Sequence, residues 1–174
     1  MTPEWKAPSG STRTESIQWD SSWPGFAKDE DRVALLRYLE ERFGIAPSIF
    51  AEYEMLETGQ SWWLIERSSH LGLAAAFKVF ACGIKAFQRV GRFVKPTTRL
   101  MQLFGPKATG SIMELTVEEF RSFAKGEGIP SNLQIEDGYV LLRLNRKYDL
   151  GLGLLVRGVV RSQIRKSDIQ QISI

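Results

Sequence analysis

Between positions 142 and 166 stand seven cations, Arg143, Arg146, Lys147, Arg157, Arg161, Arg165 and Lys166, against one acid, Asp149. Solubility alone does not need such an imbalance, and clustered lysine and arginine of this density suit a polyanionic partner. The chemistry on offer is phosphate contact by charge. Cations that merely blunt an exposed sheet edge would leave the same signature.

Three apolar runs must position these side chains: GYVLLRL, DLGLGLLV and VVRSQI, within Gly138 to Lys166. Val140, Leu142 and Leu144 alternate along the first, and Leu150, Leu152, Leu154 and Val156 along the second, the period-two mark of half-buried strands. Asn145 to Asp149 forms the turn between them. With the leucines inward, Gly151 and Gly153 lie on the opposite face, where missing side chains let a ligand or backbone come close. The third run leaves its register open. A two-residue Arg157-Gly158 turn puts Arg161 and Gln163 on the leucine face, burying a charge; a bulge or a three-residue turn instead sends Val160, Ser162 and Ile164 inward. The second arrangement is preferred, because an unpaired buried guanidinium costs several kcal/mol, roughly, and a bulge much less. It yields a glycine-floored groove rimmed by Arg161, Arg165 and Lys166.

The 174 residues carry a net charge of +3 and 43% apolar side chains, enough for a folded core in one large domain or two small ones. Charge is unevenly spread: residues 1–84 sum to −4 and residues 85–174 to +7. A phosphate-binding region concentrates charge in this way, although two domains of different isoelectric point would also do so. One cysteine, Cys82, rules out an internal disulfide, and with one histidine, His70, no Cys/His zinc cage is expected. No window resembles a membrane span or a signal peptide, so a cytoplasmic protein with no membrane partner is expected.

Residues 1–28 are rich in Ser, Thr, Pro and Gly and read as a flexible or extended tail. Its aromatics, Trp5, Trp19, Trp23 and Phe26, fit packing on the folded body or docking on a partner. DEDRVALLRYLEERFG predicts a helix from Asp29 with Val33, Leu36, Leu39 and Phe43 on one face, closed by Gly44. Tyr53–Glu57 and Ser61–Glu66 flank Thr58-Gly59-Gln60 as a hairpin, with Trp62 and Trp63 on opposite faces. His70 sits near a helix cap with no nucleophile beside it, a structural position.

GIKAFQRVGRFVKPTTRLMQLFG then carries Lys85, Arg89, Arg92, Lys95 and Arg99 and no acid. Ile84 to Val90 reads as a strand, and Pro96 as the first residue of a short helix ended by Gly105. The start of that helix offers amides to a phosphate, or its apolar residues wedge two domains together. Ile112 to Leu115 is a short strand, Thr116-Val117-Glu118-Glu119 a capping box opening a helix to Lys125, and Gly126, Gly128 and Pro130 stop it.

A short strand, a capped helix at 116–125, GYVLLRL, DLGLGLL, a Gly158 turn and RSQIRKSD follow one another in the order of a PUA domain, which residues 105–174 resemble. GRFVKPTTRLMQLFG resembles the segment preceding the PUA-like tail of Sun-family RNA cytosine methyltransferases and similar stand-alone ribosome-biogenesis proteins. Arg165 departs from the pattern, since relatives commonly place a proline there. The resemblance implies an α+β protein: a tail at 1–28, a small N-terminal α/β (pre-PUA) domain at 29–104 and a C-terminal PUA-like β pseudo-barrel with short helices at 105–174. It further implies a non-catalytic protein that binds structured RNA, rRNA or tRNA, during RNA maturation or modification. Gly151, Gly153, Arg157, Arg161, Arg165 and Lys166 would face the RNA, with Arg89, Arg92, Lys95 and Arg99 extending the track.

No G-x-G-x-x-G opening a helix, no P-loop and no G-x-S-x-G elbow is present, and neither a cofactor, a metal nor a catalytic residue is expected. The competing expectation is an adaptor whose tryptophan-bearing N-terminal part recruits an RNA-modifying enzyme or a pre-ribosomal protein.

Overall fold

The computed structural model describes residues 23–77, 82–91, 93–165 and 168–169. Two compact units divide the chain: Met1–Trp23 with Ser68–Ala81, and Pro24–Arg67 with Cys82–Ile174. In the first, a short helix α2 (Leu71–Ala75) starts after His70, whose side chain makes no capping bond.

The larger unit is mixed α+β and holds two five-stranded sheets. Strands β1 (Gly25–Phe26), β2 (Tyr53–Thr58), β3 (Ser61–Glu66), β4 (Ile84–Val90) and β5 (Phe93–Pro96) lie in sequence order in an antiparallel sheet. Its first strand comes from the segment expected to be a tail; residues 1–22 lie outside the described residues. The second sheet joins β6 (Ile112–Leu115), β7 (Ile129–Pro130), β8 (Gly138–Leu144), β9 (Tyr148–Val156) and β10 (Val159–Ser162) in the order β6-β8-β9-β10-β7, with only β6 and β8 parallel. Helix α4 (Val117–Lys125) makes the parallel crossover, opened by the expected capping box: Thr116 Oγ1 accepts from Glu119 N at 3.2 Å and Glu119 Oε2 from Thr116 N at 2.8 Å.

The two sheets draw their strands from either side of residue 104, yet they share a core. Helix α1 (Asp29–Phe43) supplies Leu35, Leu36, Leu39 and Phe43 to it, and α3 (Thr98–Phe104) adds Leu100, Met101 and Phe104. Leu141 of β8 and Leu152 of β9, opposite each other in the second sheet, join the same cluster. The wedge reading of α3 is therefore the one its packing supports. Val33, expected on the buried stripe of α1, is 54% exposed, because the stripe centres on Leu35, Leu36, Leu39 and Phe43 and leaves it out. Pro96 ends β5 rather than opening α3: Thr97 is the cap, its hydroxyl accepting from Leu100 N at 3.1 Å and donating to Lys85 O at 2.6 Å.

Loop 108–111 fastens the two halves. Thr109 N and Gly110 N both donate to Phe43 O, at 2.9 and 3.0 Å, so a carbonyl at the end of α1 is satisfied from beyond residue 104. A second core lies beneath the other face of the second sheet, around Phe120, Phe123, Val140, Leu142, Leu155 and Val160.

Candidate nucleic-acid interface

Burial on both faces decides where the meander's side chains go. Leu141 and Leu152 enter the shared core, while Val140, Leu142, Leu155 and Val160 enter the second. A bulge at Leu142/Arg143 makes Leu150 the extra residue of β9. The Arg157-Gly158 turn has two residues, both with positive φ (50° and 74°), and pairs Val156 with Val159. No slip occurs. Val160 is nevertheless buried and Arg161 exposed, because the inward partner of Val160 is Leu155, while Arg161 lies opposite Leu154 on the other face.

Two expectations are corrected by this register. Arg161 does not stand beside the glycines, and Gly151 and Gly153 floor no groove. Both are buried, and a Cβ on Gly153 would lie 2.6 Å from Val160 Cγ1 and 2.9 Å from Leu142 Cδ2. One on Gly151 would lie 2.6 Å from Thr98 Cγ2. These glycines admit neighbouring side chains, not a ligand. The alternation reading failed because it presumed a strand with one wet face.

The cations that do converge come from both sheets. Lys95 on β5 donates from Nζ to Gln163 Oε1 at 3.2 Å and lies 5.8 Å from the centre of the Tyr139 ring. Partial burial without an acid lowers the pKa of this lysine from its ordinary value. Tyr139, Leu154 and Arg161 form a cross-strand row on β8, β9 and β10, and Gln163 follows two residues after Arg161. Thr98 and Ile164, the chain neighbours of Arg99 and Arg165, both abut Gly151, Ile164 Cγ1 being 3.3 Å from the Cβ position. Both arginines are exposed. Arg67–Glu54, Arg121–Glu118 and Arg143–Asp149 form ion pairs, and none of these involves Lys95, Arg99, Arg161 or Arg165.

Other expected residues stand apart. Arg89 emerges on the core face of the first sheet, its guanidinium 5.0 Å over the ring of buried Trp62, whereas Lys95, paired with Gln88, points the other way. Arg157 sits at the hairpin turn, where its N–H donates to Asp137 Oδ1 at 2.9 Å. Arg92 and Lys166 lie outside the described residues. Arg143, part of the charge excess, is neutralised: its Nε lies 2.6 Å from Asp149 Oδ1 and its Nη2 donates to Gly105 O at 2.8 Å, both side chains being largely buried.

Sequence reasoning missed two participants. Tyr139 carries no motif; the one available signal for it was its period-two spacing from Leu141, which shares its face. Arg42 is the second: Nε donates to Tyr139 O at 2.7 Å and Nη1 to Glu136 O at 2.9 Å, fixing the chain where β8 begins. Elsewhere an apolar cleft of about 320 Å³, lined by Tyr53, Leu64, Ile84, Leu103 and Phe104 among others, carries one carboxylate, Glu66. Among the described residues no cluster of His, Cys, Asp and Glu could hold a metal ion, and no helix is long and apolar enough to cross a membrane. Compared with known proteins, the chain matches no family model and none of the curated proteins.

Proposed function

We propose that this chain is a non-catalytic RNA-binding protein acting in rRNA or tRNA maturation, and that its second sheet with α4 is a PUA-like pseudo-barrel. One observation carries the reading: Lys95 of the first sheet reaches Gln163 and the Tyr139 ring of the second, Arg161 lies two strands further along the same face, and no ion pair among the described residues draws on either cation. Side chains placed in this way contact phosphates and sugars of a folded RNA, with the aromatic ring and the amide available to a base. The run from short strand through capped helix to paired long strands supports the PUA-like assignment. Bound RNA would neutralise the cations and release counterions, so affinity falls steeply with salt, by about 0.7 to 0.9 log units per log unit of salt for each phosphate contacted.

The test is titration of a structured tRNA or rRNA fragment across a salt series. Reversing Arg161 and Arg165 together to glutamate should weaken binding and flatten the slope by about 1.4 to 1.8. Unchanged affinity and slope in that double variant would discard this surface as the RNA site.

A further inference from the structure

The side-chain amide of Gln163 is held one way round. Lys95 Nζ lies 3.2 Å from its Oε1, and an ammonium group has protons to give and no lone pair to accept one, so the amide end that faces it is the oxygen. The NH2 end, Nε2, is turned away from the lysine. The backbone is held as well: Gln163 N donates to Leu152 O at 2.8 Å, one residue beyond the end of β10, and Ile164 N donates to Ser162 Oγ at 3.2 Å. Lys95 and Gln163 are both half-buried, which shields their contact from water in part.

A glutamine with both amide ends open pairs bidentately with adenine, donating to N7 and accepting from the N6 amino group. Here the oxygen is already engaged. What the pair has left to offer a ligand is donors only: the amide NH2 and the remaining ammonium protons of Lys95. Two neighbouring donors match two neighbouring acceptors, and guanine offers these as O6 and N7. Adenine puts its N6 amino group where guanine has O6, setting donor against donor. The Tyr139 ring, half-buried and 5.8 Å from Lys95 Nζ, adds an aromatic surface beside the donors for an unpaired base.

We propose that Gln163 is the specificity-determining residue of this surface, with its amide set by Lys95, and that it selects unpaired guanine over adenine. This rests on the RNA reading above and specifies the base that is read.

The experiment titrates the full chain with single-stranded oligoribonucleotides of equal length built on UUG and on UUA repeats, and with a UUG oligomer whose guanines are deazaguanines lacking N7. Poly-L-glutamate is a further probe, because the carboxylates of an acidic peptide would satisfy the same donors. The wild type should bind the UUG oligomer about 5- to 150-fold more tightly than the UUA oligomer, and the deazaguanine oligomer should lose most of that margin. Gln163→Leu should erase the margin while leaving the salt slope unchanged, since no charge is removed. Lys95→Met releases the amide oxygen, so adenine should gain on guanine beyond the general loss of affinity. Gln163 is half-exposed and Gln163→Leu should melt like the wild type; a purely structural role would move the melt and spare the guanine-to-adenine ratio.

Equal binding of UUG and UUA by the wild type, or a margin that survives in Gln163→Leu, would overturn the specificity proposal and leave the RNA reading standing. So would binding of a structured tRNA with neither oligomer bound. Poly-L-glutamate binding that Gln163→Leu weakens, with RNA binding indifferent to it, assigns the donors to an acidic peptide and also overturns the proposal. Failure of the wild type to bind the oligomers and the tRNA alike removes both readings together.

Discussion

Lys95 Nζ hydrogen-bonds Gln163 Oε1 at 3.2 Å, linking the edge strand of the first sheet to the end of β10 in the second. The lysine is only partly buried, so the bond contributes little to stability, but it fixes a charge at the junction. Lys95→Met should change the unfolding free energy by less than about 1 kcal/mol. The same variant should lower RNA affinity and reduce the salt slope by about 0.7 to 0.9, one phosphate's worth. Titration of RNA at several salt concentrations checks this, and an unchanged slope would remove Lys95 from the contact set.

Packing around the meander glycines leaves no room for a methyl group. Gly153→Ala should destabilise the protein by roughly 1–3 kcal/mol, because the new Cβ meets Val160 and Leu142 below 3 Å. Gly151→Ala adds strain, since φ there is 141°, a value L-residues avoid. Denaturant melts measure both. A neutral Gly153→Ala would mean that this face is open after all.

Arg143 and Asp149 form the buried ion pair of the second sheet, 2.6 Å apart. Removing one partner strands the other charge. Asp149→Ala should cost about 3–5 kcal/mol. Replacing both by apolar residues of similar size, as in Arg143→Met with Asp149→Leu, should recover much of that loss. A double variant no better than Asp149→Ala would show that the Arg143 bond to Gly105 O matters more than the pair.

Tyr38 gives a pH signature. Burial, opposed by Arg42 and reinforced by Tyr139, pushes its phenol up from 10.0 to about 12. The folded state therefore holds this proton more tightly than the unfolded chain does. Its contribution is complete below pH 10 and is lost as pH rises from 10 towards 12, amounting to roughly 1–3 kcal/mol. Unfolding free energies measured through that window should decline, and Tyr38→Phe should flatten the decline. Phenolate absorbance near pH 10 in the folded wild type, missing from Tyr38→Phe, would contradict the shift.

Much of the secondary structure was legible because it is written locally. Helix α1 is acidic at its start and meets Gly44 at φ 65°, α4 has Thr116 and Glu119 three apart, and the strand 84–90 keeps its bounds. The β9 face was not legible. A leucine-glycine alternation looks the same whether glycine faces water or a neighbouring methyl, and only the second core under Val140 and Val160 decides it. The third strand shows the same limit: the outward direction of Arg161 was foreseen, but through a slip that the chain does not make. Of the site, the cations were visible as charge density. Their division between two faces was not, because the pairing of Gln88 with Lys95 and of Arg89 with Val94 is settled only when β4 meets β5.

The double bond from Thr109 and Gly110 to the Phe43 carbonyl bears on how the molecule can be cut. Severed at residue 104, the C-terminal piece would carry Leu141 and Leu152, both fully enclosed in the intact chain, as a naked greasy patch, and the Phe43 carbonyl at the end of α1 would lose both of its donors from beyond the cut. Expressed alone, either piece is a candidate for clumping.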